Sequence, residues 1–265
     1  MNWDEFPLIA LIVALLLTSG STMINFTIKP KLAEAMVILG VVILGVFIFL
    51  FWRFLGRPPL RTLGETRLWY AFFLALAGYI TYKRWKYKWI VAFCSSFTML
   101  FLFINYIHTE AHDKTLMPAL QSPWFAPHVI VYILSYAILA ASALVSIKGL
   151  YEIYKKPSAN REDVSQMADN LVYIGFAFLT LGLTFGAMWA KEAWGHYWTW
   201  DPKETWALLT WLGYLGYIHI RLYKPNKLKL AYWMLALAFV VLIVAWFGIN
   251  YLPSAQNSVH VYSQQ

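Results

Sequence analysis

Six histidines, 14 tryptophans and a single cysteine bound the chemistry open to this chain. Cys94, being alone, forms neither an intrachain disulfide nor a CxxC redox or zinc site, so any reaction rests on imidazole, indole, phenol and carboxylate groups. The tryptophans are unevenly spread: Trp189, Trp194, Trp198, Trp200, Trp206 and Trp211 crowd into one short stretch. Within it runs Trp194-Gly195-His196-Tyr197-Trp198-Thr199-Trp200-Asp201-Pro202. Gly195 allows close backbone approach, Asp201 is placed to cap a helix, and Pro202 is placed to begin one. Rings held on such a loop make a platform for something flat and apolar. A porphyrin meets that description, and its iron takes imidazoles on opposite sides, with His128 and His260 as the candidate pair. Interfacial tryptophan anchors with hydrogen-bonded loop histidines, or another ligand, fit the same inventory, and composition leaves these alternatives open.

The elements that must position these residues are membrane spans. Of 265 residues, 60% are hydrophobic and only 13% charged, a balance that no ordinary water-facing surface accommodates. The fold class expected is an all-α, polytopic transmembrane bundle forming a single integral membrane domain over 1–265. About eight spans are legible, at Leu8–Leu17, Leu32–Leu55, Leu68–Tyr82, Trp89–Ile107, Val129–Ile147, Leu171–Ala190, Trp206–Leu222 and Leu230–Ile249. Leu68–Tyr82 is the weakest, a short apolar run between arginine-rich and lysine-rich flanks. Glu162–Asn170 reads as a solvated connector or a short surface helix. The net charge of +8 comes from loop cations and reads as a topology signal, not as affinity for nucleic acid.

Counting cations by loop orients the bundle. Fourteen of the 21 Lys and Arg fall in loops 1–2, 3–4, 5–6 and 7–8, which the positive-inside rule assigns to the cytoplasmic side. Both termini and the tryptophan loop at 191–205 then face outward. Arg53, Arg57, Arg61 and Arg67 in loop 2–3 break the pattern, and three of them, Arg57, Arg61 and Arg67, are candidates for holding anionic propionates or lipid headgroups. This topology places five histidines outside and leaves His219 within the seventh span, near its inner end. His108 and His112 are four apart, a spacing compatible with a metal, but Glu110 is misplaced for an HExxH site.

The run Trp194–Ala207 is similar, nearly letter for letter, to the tryptophan-rich WWD signature WGxYWxWDPKETWA of the CcsA (ResC) family of cytochrome c biogenesis proteins. Further similarity lies in Leu120-Gln121-Ser122-Pro123-Trp124 leading to His128, in Tyr217-Ile218-His219-Ile220-Arg221, and in Gly248-Ile249-Asn250-Tyr251-Leu252 leading to His260. The loop Gly56–Glu65 resembles the family's outward GxxPLxNLYE loop less closely. The resemblance covers about residues 56–260.

What it implies is a haem-handling subunit of a system II cytochrome c synthase. Such a protein carries haem b to the outer face and, with a CcsB (ResB) partner, promotes its thioether attachment to CxxCH apocytochrome c. By position, His128 and His260 match the axial ligands and His219 an intramembrane transit ligand. Trp194, Gly195, Trp198, Trp200 and Asp201 match the platform. His196 falls on a variable position of the motif. The expected setting is a bacterial inner membrane with lipid around it. The alternative is a haem carrier of the CcmC type without synthase activity, and a non-haem membrane scaffold is the third reading.

Overall fold

A computed structural model describes residues 2–113, 122–155 and 162–251. Its long helices are α1 (Phe6–Asn25), α2 (Pro30–Leu55), α3 (Leu63–Trp85) and α4 (Lys88–Ile107), followed by the single turn α5 (Glu110–Asp113). Then come α6 (Phe125–Lys155), α7 (Glu162–Trp194), α8 (Pro202–Tyr223) and α9 (Leu228–Trp246), closed by a 3-10 turn at Gly248–Tyr251. Each of the eight expected spans has its helix, and every regular element among the described residues is helical. α1, α2, α4, α6, α7 and α9 are long and apolar enough to cross a membrane. α3 and α8 have sufficient length but carry charges at both ends, which shortens their apolar runs.

The chain divides into two compact units, 1–116 and 117–265. In the first, α1 packs on α2 and α4, and α3 on α4. Close approach of α3 and α4 depends on Gly78, where the buried Cys94 leaves no room for a Cβ, so Cys94 is a packing group. The loop before α3 is built on one buried carboxylate. Glu65 accepts both Arg57 guanidinium nitrogens, at 2.9 and 3.0 Å, and the Arg61 backbone N–H at 2.6 Å. Glu65 also completes a capping box with Thr62, whose hydroxyl oxygen accepts the Glu65 N–H. Arg57 is thus ion-paired within its own loop.

His108 and His112 do not converge. His108 bonds Glu110 at 2.7 Å, while His112 stacks on Trp3 at 3.6 Å and donates to the Asn105 carbonyl at 3.0 Å.

In the second unit, α6 and α7 form the most extensive helix pair, α8 packs on α7 and α9, and α6 packs on α9. α7 begins at Glu162, so the stretch through Asn170, expected as a connector or separate short helix, is continuous with the span. Val164, Met167 and Ala168 are buried on its inner face. Asp169 holds Arg221 of α8 through two 2.8 Å bonds and accepts the Tyr217 hydroxyl at 2.8 Å. At 33 residues this helix is about 50 Å long, well beyond a ~30 Å hydrocarbon core.

Candidate functional site: a seated histidine beside a tryptophan loop

His128 lies in the first turn of α6, where the Trp124 carbonyl accepts its backbone N–H at 3.1 Å. Its ring faces α7. Nδ1 is 2.8 Å from the Gly182 carbonyl oxygen. Trp189 stacks over the ring at 5.6 Å and 25°, and Tyr132 meets it edge-on at 4.7 Å. Trp189 in turn contacts Trp194 at 4.7 Å, so His128 and the start of the tryptophan motif, distant in sequence, belong to one aromatic cluster. Phe125 closes the cluster at 5.4 Å from Trp189. From His128 the rings continue down α6 through Tyr132 and Tyr136 to Trp246 of α9.

Beyond Trp194 the loop is pinned at both ends by charged side chains. Lys191 donates from Nζ to the Gly195 carbonyl at 2.8 Å and lies 5.5 Å from the Tyr197 ring centre. Gly195 has φ +84, a conformation costly for any residue with a Cβ. At the other end Glu204 accepts the backbone N–H groups of Thr199 at 2.8 Å and Asp201 at 3.1 Å. Asp201 caps α8 by accepting the Lys203 N–H at 2.9 Å, and Pro202 is the first residue of the helix.

Between these pins Trp198 and Trp200 stand perpendicular, 5.8 Å apart. Trp200 is 67% exposed and has φ +60. A left-handed backbone at a non-glycine residue costs about 1–2 kcal/mol, so neighbouring contacts must hold it there. The exposed face of Trp200 and the oriented imidazole of His128 have the chemistry to fit a porphyrin, the first by stacking and the second as an iron ligand. Lys203, ahead of the apolar run that starts at Trp206, is pulled down to about 8 by burial, with the Asp201 carboxylate opposing the shift.

The other expected site residues lie elsewhere. His219 is about 27 Å along α8 from Asp201, at 1.5 Å per residue. It is exposed on a face with Leu212, Leu215 and Leu222 and lies 4.5 Å from Tyr223, ring to ring. Trp211 serves helix packing, donating from its indole to Thr180 at 3.0 Å. His260 falls outside the described residues. Sequence reasoning missed Tyr132, Gly182 and Gly186, although Gly182-Leu183-Thr184-Phe185-Gly186 is a small-xxx-small pattern of the kind that lets helices approach.

Fold and site define a multi-pass helical membrane protein that presents tryptophans and a seated histidine at one end of its second unit. A family model described as cytochrome C assembly protein matches residues 6–255. A CcsA cytochrome c biogenesis protein of Chlamydomonas reinhardtii is 33% identical, over 92% of this chain and 72% of that protein. One from Guillardia theta is 34% identical over 78% of each. The chain belongs to the cytochrome c assembly family, within its CcsA group. Among solved structures, the cytochrome c haem lyase CcmF has a similar fold, with a TM-score of 0.70 at 16% identity. The match covers 92% of this chain and 46% of that one, so the chain spans under half the length of CcmF.

Proposed function

We propose that this protein is the haem-handling subunit of a system II cytochrome c synthase, bringing haem b to the outer membrane face for attachment to CxxCH apocytochrome c. Membership of the CcsA group supports a role in cytochrome c biogenesis. The observation that carries the finer reading is the contact chain His128–Trp189–Trp194, which joins the candidate ligand to the tryptophan motif.

In this reading His128 and His260 would be the residues that hold the haem iron, and the loop 191–205 would support the ring. Gly195 admits the ring edge, while Trp194, Trp198 and Trp200 offer it aromatic faces. Asp201 fixes the angle at which the loop enters α8. His219, on its exposed apolar face, serves haem in transit. The chain would supply orientation, and because the attacking thiols belong to the apocytochrome it would need no nucleophile of its own. A CcsB-type partner completes the synthase. The setting is a bacterial inner membrane with the loop on the periplasmic side.

The test is haem content. The purified chain in detergent, coexpressed with a CcsB partner, should show a b-type spectrum and pyridine haemochrome that weaken in His128→Ala and His260→Ala. A wild-type chain without haem under those conditions sinks the reading. Coexpression with an apocytochrome then separates synthase from CcmC-type carrier, because only the former yields covalent cytochrome c.

A further inference from the structure

The surroundings of His128 select one of its two ring nitrogens. The Gly182 carbonyl can only accept a hydrogen bond, so at 2.8 Å it takes the proton of Nδ1, and the neutral ring then carries its lone pair on Nε2. The ring has little freedom to turn away from this arrangement. A Cβ on Gly186 would lie 2.7 Å from His128 Cε1 and 2.9 Å from Nδ1. A Cβ on Gly182 would lie 2.7 Å from Cδ1 of Tyr132, the ring that meets His128 edge-on. Trp189 stacks on the imidazole at 25°. Two glycines one turn apart on α7 therefore form a notch that receives two consecutive turns of α6.

We propose that Gly182, Gly186 and Tyr132 are positioning residues that lock His128 in the Nδ1–H tautomer and present Nε2 as the metal donor. This rests on the haem reading and adds to it the donor atom and what tunes it. A backbone carbonyl bonded to the far nitrogen of a ligating imidazole fixes its orientation and raises its basicity. The seat thereby favours the ferric over the ferrous state of a bound porphyrin iron.

The deciding experiment begins without haem. The full-length chain in detergent, carrying ring-nitrogen-labelled histidine, should show one histidine protonated at Nδ1 and unprotonated at Nε2, assigned by its disappearance in His128→Gln. An Nε2–H tautomer, or a mixture, overturns the proposal. Hemin titration follows. Gly186→Ala should mix the tautomers, weaken hemin binding by about 10–100-fold, diminish the low-spin signature and raise the midpoint potential.

Gly175→Ala is the control for packing alone. There a Cβ would lie 2.6 Å from Leu139 on the same pair of helices, with no imidazole involved. If Gly175→Ala moves the spectrum and potential as much as Gly186→Ala does, the seat is merely structural and the proposal falls. The two readings fail separately: the haem-free tautomer bears on the seat, whereas hemin binding unchanged in His128→Ala refutes the haem assignment.

Discussion

Glu204 reaches back from the first turn of α8 to accept the backbone N–H of Thr199 at 2.8 Å, so one carboxylate fixes both the helix start and the conformation of the loop before it. The same oxygen accepts the Asp201 N–H. Losing a capping-box partner costs about 1 kcal/mol, and here the loss falls on the segment that presents Trp198 and Trp200. Glu204→Ala should leave the helical circular dichroism intact while broadening tryptophan emission and lowering haem content several-fold. Unchanged haem content would show that the loop does not need this pin.

The ion pair between Asp169 and Arg221 is largely withdrawn from solvent, with side chains 17% and 12% exposed. Removing one member strands a charge and should destabilise by about 3–5 kcal/mol, whereas replacing both with apolar groups costs far less. Arg221→Met and Asp169→Leu should each lower the melting temperature in detergent, and the double variant should recover the charge-stranding part of the loss but not the Tyr217–Asp169 hydrogen bond. Additive losses would indicate that the two residues act separately.

Lys203 provides a pH test. Its ammonium is disfavoured by burial and titrates at about 8 in the fold, against 10.5 for the ordinary side chain. Below pH 8 both folded and unfolded chains carry the proton and the desolvation cost is fully felt. Between 8 and 10.5 the unfolded chain binds more protons, so stability rises with pH. Lys203→Met should therefore stabilise by on the order of 2 kcal/mol at neutral pH, and its advantage should shrink as pH climbs from 8 toward 10.5. An advantage independent of pH would contradict this origin.

Cys94 is 1% exposed and fills the space opposite Gly78. A maleimide should fail to label it in the native detergent-solubilised protein and label it fully after denaturation. The reagent then reports topology once Cys94 is replaced by Ala. A cysteine at His196 should react with a membrane-impermeant maleimide added to intact cells or spheroplasts, while one at Asn226 should react only after permeabilisation. The reverse pattern would invert the proposed orientation.

Apolar runs located the helices but not their ends, because hydropathy reports only the segment that meets lipid. α3 was legible from Leu68 and begins at Leu63, since the Thr62–Glu65 capping box adds a turn that no hydropathy window detects. α7 was legible from Leu171 and begins at Glu162, where packing of Val164 and Met167 and the tie from Asp169 to α8 keep polar residues helical.

The candidate site divides in the same way. The tryptophan motif and the cap at Asp201 could be read from local spacing. The seat of His128 could not, because a pair of glycines announces close approach without naming what approaches. The Arg57–Glu65 pair was illegible for a similar reason: Glu65 lies across a turn whose shape no pattern of charges discloses.

Trp200 combines a large exposed ring with a left-handed backbone. Its chain conformation is one that glycine adopts at no steric cost, so on local energetics alone glycine is the better occupant. A screen selecting only for thermal resistance should thus enrich Trp200→Gly and discard an exposed ring of the tryptophan loop. If the loop has its proposed role, stability and utility rank the amino acids at this position in opposite orders, and optimisation by melting temperature would steadily erase what that role depends on.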